Sequence, residues 1–187
     1  MIPVHFYLPE AFKTRRSIME MEKAIQTAID YETNIRDIYR NAAQHVHDPE
    51  GRRFFKMMGD DEQHHLDYLQ ERLKSWRKSG KLSVEKLDSI VPPKEMVQKA
   101  SEKIKARIST EDLSSIKVIL GRALQAEVET SNFYEEMVKK MTLEGQQMFA
   151  RFLEIEENHI AAVQAELDYI THTGYWFNFK EFDMEEL

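Results

Sequence analysis

The chain contains no cysteine among its 187 residues. It therefore cannot form disulfides or a Cys-x-x-Cys redox pair, and it cannot bind zinc or an iron–sulfur cluster through thiolates. Residues that break helices are also scarce, with six Gly and five Pro. No apolar run approaches the ~20 residues that a membrane-spanning helix needs. Any redox chemistry must use oxygen and nitrogen ligands or an external cofactor.

The charge balance is acidic. The chain has 33 acidic and 26 basic residues, a net charge of −7, a pI near 5.6 and a mean hydropathy of −0.58. This balance argues against non-specific binding of nucleic acid. The N-terminus has neither a basic n-region nor a small-residue cleavage site. We expect a single cytoplasmic domain without a membrane or nucleic-acid partner.

Apolar residues recur every three or four positions, which predicts an all-α fold. The long helices are expected at 17–47, 49–78, 111–141 and 143–172. Residues 79–110 form a polar crossover with one short helix at 93–108. The expected bundle domain covers 1–173, and an aromatic and acidic tail covers 174–187. That tail could pack on the bundle or make a subunit contact, and packing is favoured because exposed aromatic patches usually find a partner.

Local signals mark several helix ends. Asp48 followed by Pro49 predicts an N-cap with proline at the first helical position. Ser17-x-x-Glu20 resembles a capping box, and Gly80 resembles a helix end.

The two halves of the chain repeat. At an offset of 95 residues, Glu32 matches Glu127, and Tyr39 matches Tyr134. At an offset of 94, one Glu-x-x-His segment matches another, and a glycine precedes each segment by eleven residues. Each half therefore predicts a helical hairpin with one Glu on its first helix and Glu-x-x-His on its second.

Six polar residues of this repeat lie within apolar helix stripes. A carboxylate in an apolar interior is unfavourable, and four converging carboxylates repel one another. Divalent cations remove both penalties, and carboxylates with imidazoles suit iron or manganese. The pattern predicts a dinuclear metal site made by Glu32, Glu62, His65, Glu127, Glu156 and His159.

Simpler interpretations exist for each residue alone. A single Glu-x-x-His is common on helices, a single Glu in a stripe is often a boundary residue, and Tyr39 and Tyr134 could be ordinary core tyrosines. Asp61 could orient an imidazole as a hydrogen-bond acceptor, although its counterpart in the repeat is Ile155. The combination of the pairs, the lone glutamates and the repeat favours the metal site.

This ligand pattern resembles the signature of ferritin-like di-iron carboxylate proteins. The hairpin repeat and the tyrosine seven residues after each lone Glu are most similar to rubrerythrins. The resemblance covers about 17–172 and implies a four-helix bundle of two hairpins joined by the crossover. It further implies that Glu62 and Glu156 bridge two metals, with Glu32/His65 and Glu127/His159 as terminal ligands.

Two features differ from that family. The chain lacks the cysteine-ligated iron domain that supplies electrons in rubrerythrins, and Thr130 stands where an additional carboxylate is typical. The resemblance therefore implies a di-iron oxidoreductase that reduces hydrogen peroxide or dioxygen with electrons from a separate donor protein. Tyr39 and Tyr134 are expected to hydrogen bond the ligand carboxylates, and the chain is expected to form a homodimer or higher oligomer.

Other functions are compatible with the same pattern. Two manganese ions would give a catalase-like enzyme that needs no electron donor. Ferroxidase activity would serve iron storage or transfer. The bundle could instead be an interaction module without catalysis.

Overall fold

The computed structural model describes residues 10–83, 85–101, 113–173 and Trp176, with side chains over 20–83, 85–98, 114–172 and at Trp176. Its five helices are α1 (Glu10–His45), α2 (Pro49–Ser79), α3 (Lys94–Ser101), α4 (Leu113–Lys140) and α5 (Leu143–Thr173). These residues contain no strand, which confirms the all-α prediction. Within the described ranges, no helix combines the length and the apolar character needed to cross a membrane.

Both ends of α2 follow their local sequence signals. The Asp48 carboxylate accepts hydrogen bonds from the backbone N–H groups of Glu50 (2.8 Å) and Gly51 (3.4 Å). Gly80 has a φ of 66°, a left-handed conformation that favours glycine, and its N–H donates to the Trp76 carbonyl. The predicted N-cap and helix end are confirmed.

The predicted start of α1 was wrong. The helix begins at Glu10, so Ser17 lies inside it and cannot cap it. The seven residues before Ser17, Glu-Ala-Phe-Lys-Thr-Arg-Arg, include neither Gly nor Pro, so nothing in them ends a helix. Of the short helix predicted at 93–108, Lys94–Ser101 is helical, and 102–108 lies outside the described residues.

The four long helices pack in a connected set. Helix α1 lies against α2 and α4, α4 lies against α5, and the short α3 contacts α5. Two apolar clusters fill the interior, one containing Tyr39, Phe55 and Leu120 and the other containing Phe149 and Phe152. Along each of the four long helices, the predicted metal ligands come between residues of one cluster and residues of the other. A polar layer therefore separates two apolar layers.

The C-terminal tail contacts the bundle at Trp176. This side chain is buried, with its ring 5.6 Å from that of Phe55 and 6.5 Å from that of Phe54. At this residue the tail packs on the bundle, as the sequence favoured. The rest of 174–187 lies outside the described residues.

The Trp176 ring lies against Gly51, and this contact gives a stability prediction. A Cβ at Gly51 would lie within 2.8 Å of three atoms of the rigid ring. We expect Gly51→Ala to lower the free energy of unfolding by about 2 kcal/mol, because overpacking displaces the indole. Gly121→Ala is the matched control. Its Cβ would meet nothing within 4 Å, and alanine should stabilise α4 by about 0.5–1 kcal/mol.

Urea unfolding of both variants measures the difference. Equal stability of the two variants would contradict the packing of Trp176 on Gly51.

Candidate metal centre

The structure brings all six predicted ligands into one buried layer. Helix α1 contributes one of them, α2 two, α4 one and α5 two. In each Glu-x-x-His segment the three-residue spacing places both side chains on one helix face. Each ligand side chain has a relative exposure of 0%. They are Glu32, Glu62, His65, Glu127, Glu156 and His159.

Glu62 lies at the centre of this layer. Its Oε2 is 2.9 Å from Nδ1 of His65, and its Oε1 is 2.8 Å from Nδ1 of His159. Nδ1 of His65 also lies 3.1 Å from Oε2 of Glu32. The imidazole rings stack with their centroids 5.3 Å apart. Both Nδ1 atoms therefore face the carboxylates.

The two tyrosines join the halves of the repeat. Tyr39 on α1 donates to Oε1 of Glu127 on α4, and Tyr134 on α4 donates to Oε1 of Glu32 on α1. Both hydroxyls and both carboxylates are buried. Each tyrosine therefore orients the lone glutamate of the other half, as expected for hydrogen bonds to these carboxylates.

Asp61 lies on the opposite side of the imidazoles. Its Oδ2 is 2.9 Å from Nε2 of His159 and 3.7 Å from Nε2 of His65. Two groups of the crossover donate to the same carboxylate, the Ser89 hydroxyl (2.5 Å) and the Ile90 N–H (3.0 Å). Because an ionised carboxylate can only accept hydrogen bonds, Nε2 of His159 carries a proton and Nδ1 is the atom available to a metal.

Glu156 differs from the other carboxylates. Among the described residues, neither of its oxygens has a hydrogen-bond donor, although the side chain is fully buried. A buried carboxyl group without a donor costs about 1–3 kcal/mol or more. This orphaned group points to a missing positive partner.

The pKa values of the central glutamates reflect this crowding. Burial, opposed mainly by His159, raises the pKa of Glu62 from 4.5 to about 7. Burial and the charge of Glu127 raise the pKa of Glu156 well above 4.5. Without metal, the layer therefore holds protons on carboxyl groups at neutral pH.

The pKa values of the imidazoles are raised as well, by neighbouring charges and against the effect of burial. Burial lowers the pKa of His65, but the charges of Glu62 and Glu32 outweigh it and raise the pKa to about 10. Glu62 and Glu127 likewise raise the pKa of His159 well above 6.5 against the effect of burial. The pKa of Glu32 is lowered because His65 overcomes the effect of burial. Without metal, bound protons therefore offset the negative charge of the carboxylates, as bound cations would.

Two groups of ligand atoms could each hold an ion. One contains Glu32, Glu62, His65 and Glu156, and the other contains Glu62, Glu127 and His159, with one atom from each residue within 4.8 Å of the others in its group. Glu62 belongs to both groups, whereas Glu156 belongs only to the first.

A third group joins Asp61 with the two histidines. Its carboxylate already accepts hydrogen bonds from Ser89, Ile90 and His159, so it is better suited to orient imidazoles than to bind an ion. The six predicted ligands fit two divalent cations by donor type, burial and the orphaned oxygens of Glu156.

Sequence reasoning missed the crossover's part in this site. Ser89 and Ile90 reach Asp61 from a segment without helical periodicity, so no pattern marked them. Thr130 is buried, and its hydroxyl donates to the Ala126 carbonyl within α4 (2.9 Å) instead of facing a ligand.

Comparison of the chain with models of protein families, with curated proteins and with solved structures gave no match.

Proposed function

We propose that this protein is a non-haem dinuclear metal oxidoreductase that reduces hydrogen peroxide or dioxygen. In this proposal the helices form a ferritin-like bundle of two repeated hairpins, similar to a rubrerythrin without its rubredoxin domain. The all-α fold and the buried layer of carboxylates and imidazoles support it.

One observation carries the proposal. Four glutamates and two histidines are fully buried in one layer, and the carboxyl group of Glu156 has no hydrogen-bond donor among the described residues. A purely structural core would gain stability by replacing these groups with apolar side chains. Two divalent cations explain why the sequence keeps them.

The carboxylates of the site would bind the two ions in different ways. Glu62 lies between both imidazoles, which suits a bridging ligand. Glu32 and Glu127 are held by the tyrosine hydroxyls, which suits terminal ligands with fixed orientation. Glu156 has no competing hydrogen bond, so its carboxylate is free to change its mode of binding.

When bound, two ferrous ions would supply two electrons for cleavage of an O–O bond. The chain would position the ions, exclude bulk water through the flanking apolar clusters and neutralise charge with four carboxylates. These 187 residues contain no cysteine for an iron–sulfur relay, so in this proposal the electrons for re-reduction come from a separate donor protein.

The stoichiometry of ferrous binding tests this proposal. Anaerobic titration of the metal-free protein is expected to saturate at about two Fe²⁺ per chain, as a dinuclear carboxylate site requires. Glu154→Ala is a suitable control because this glutamate is exposed and pairs with Arg151. The control should bind like the wild type. Saturation at one ion or none would overturn the dinuclear proposal.

Manganese is the second candidate, and the absence of cysteine favours it. A dimanganese centre that disproportionates peroxide needs no electron donor. Metal analysis of the protein as isolated, together with oxygen release from peroxide, separates the two. Manganese with oxygen release supports the catalase-like function, whereas iron with donor-dependent peroxide loss supports the first.

A further inference from the structure

The crossover between α2 and α3 is fixed to the interior at several points. Arg151 donates to the Leu87 carbonyl (2.8 Å), and the Asn158 side chain accepts from the Lys94 N–H (3.0 Å). These contacts hold the segment 87–94 against α5. Between them, Ser89 and Ile90 donate to Asp61 on α2.

Asp61 links this segment to the imidazoles. The carboxylate is fully buried and accepts from the Ser89 hydroxyl, the Ile90 N–H and Nε2 of His159. Nε2 of His65 lies 3.7 Å away. The Ile90 N–H bonds Oδ1, whereas Ser89 bonds Oδ2, the oxygen that contacts His159. Loss of the serine hydroxyl therefore removes the crossover hydrogen bond made to the oxygen that faces the imidazole.

From this arrangement we infer that Ser89 is a positioning residue of the centre. It holds Asp61 in the orientation that keeps the proton of His159 on Nε2 and presents Nδ1 to the carboxylate layer. The crossover is then part of the centre and not only a connection. As far as metal binding is concerned, this inference rests on the proposed function.

Three serine variants test the inference. Ser89→Ala removes the hydroxyl, and Ser89→Thr keeps it. Ser83→Ala is the matched control, since Ser83 lies in the same crossover and its hydroxyl accepts from Arg72 (2.7 Å), away from Asp61.

The first readout uses the metal-free protein. In the wild type, the NMR signal of the His159 Nε2–H should be shifted downfield and protected from exchange with water. Ser89→Ala should lose this protection, while Ser89→Thr and Ser83→Ala should keep it. A merely structural role for Ser89 would leave the signal unchanged, and that result would overturn the inference.

The second readout is titration with Co²⁺, whose visible absorption reports its ligands. Ser89→Ala should weaken Co²⁺ binding by about 10-fold, the lower limit for loss of a group that orients a metal ligand. Ser89→Thr should restore it, and Ser83→Ala should bind like the wild type. Wild-type affinity in Ser89→Ala would overturn the inference. If the wild type bound no Co²⁺, the proposed function would fail and the NMR readout would decide the role of Ser89 alone.

Discussion

Replacement of Glu156 by leucine should make the metal-free protein more stable and should deprive it of a full metal complement. Neither oxygen of Glu156 has a hydrogen-bond donor among the described residues, and the side chain is fully buried. Leucine removes this desolvated group and adds apolar contact. We expect a gain of about 2 kcal/mol in the free energy of unfolding. For a chain of this size, that gain is a rise of about 4–8 °C in Tm.

Metal should reverse the order of stability. A bound ion stabilises the folded state by about 2.7 kcal/mol at a free concentration 100 times its Kd. The wild type should gain this from both ions. Glu156→Leu removes one ligand of the four-residue group and leaves the group of Glu62, Glu127 and His159 unchanged. With excess Mn²⁺ the wild type should therefore melt above the variant, whereas with EDTA it should melt below it.

Thermal melting of both proteins with EDTA and with Mn²⁺ measures this crossing. Glu154→Leu serves as the control because Glu154 is exposed on the same helix, and it should change stability by less than about 0.5 kcal/mol. A variant that is less stable than the wild type in EDTA would mean that Glu156 contributes to the fold without metal.

The stability of the metal-free protein should fall as the pH rises. The pKa of Glu62 is raised from 4.5 to about 7, so its protonated form stabilises the fold below pH 4.5 and this contribution is lost between pH 4.5 and 7. The pKa of His65 is raised from 6.5 to about 10, so its contribution is complete below pH 6.5 and is lost towards pH 10. Both groups change stability in the same direction.

Asp61 limits the stability of the metal-free protein at acidic pH. Burial raises its pKa, but hydrogen bonds and charge from His159 outweigh burial and lower the pKa below 3.8. Its contribution is present above pH 3.8 and is lost as the pH falls further. The metal-free protein should therefore be most stable near pH 4–5 and should lose several kcal/mol by pH 9, first as Glu62 ionises and then as His65 loses its proton.

Urea unfolding in EDTA at pH 5, 7 and 9 tests this dependence. The double variant Glu62→Gln/His65→Gln should show a flatter profile. Saturating Mn²⁺ should reverse the slope for the wild type, because protons compete with metal for the same atoms. A metal-free protein whose stability increases from pH 5 to pH 9 would contradict the protonation of this layer.

The repeat made most of the site predictable. It selected Glu32 and Glu127 from 33 acidic residues because each falls in an apolar stripe at the same place in its half. Their burial follows from that periodicity. The hydrogen bonds of the tyrosines to ligand carboxylates were expected from the resemblance to di-iron carboxylate proteins. Periodicity does not predict that each tyrosine reaches the glutamate of the other half.

The role of Asp61 was only partly predictable. Sequence spacing related it to His65 on its own helix, yet its shorter contact is to His159, 98 residues away. That contact depends on how α2 and α5 pack, which helical periodicity does not determine. In the repeat, Asp61 aligns with Ile155. This difference weakened the prediction that Asp61 orients an imidazole, because equivalent halves should carry equivalent residues. The Asp61 carboxylate instead hydrogen bonds the imidazole of His159 and lies 3.7 Å from Nε2 of His65.

The crossover and the start of α1 could not be predicted for different reasons. Ser89 lies in a segment whose conformation depends on tertiary contacts with Asp61 and Arg151, so local sequence carries no signal. Ser17-x-x-Glu20 has the sequence of a capping box but does not cap α1, because the helix begins seven residues earlier, at Glu10.

The reciprocal tyrosine bonds also determine how α1 and α4 are aligned along their axes. Glu32 pairs with Tyr134 and Tyr39 pairs with Glu127, so the order of the partners along α1 is the reverse of their order along α4 and the helices run antiparallel. Sliding either helix by one turn would break both bonds together. Since each half carries the same Glu and Tyr spacing, two copies of a single half could form the same pair of bonds. Each half of the sequence repeat therefore carries the same pair of residues that fixes this alignment.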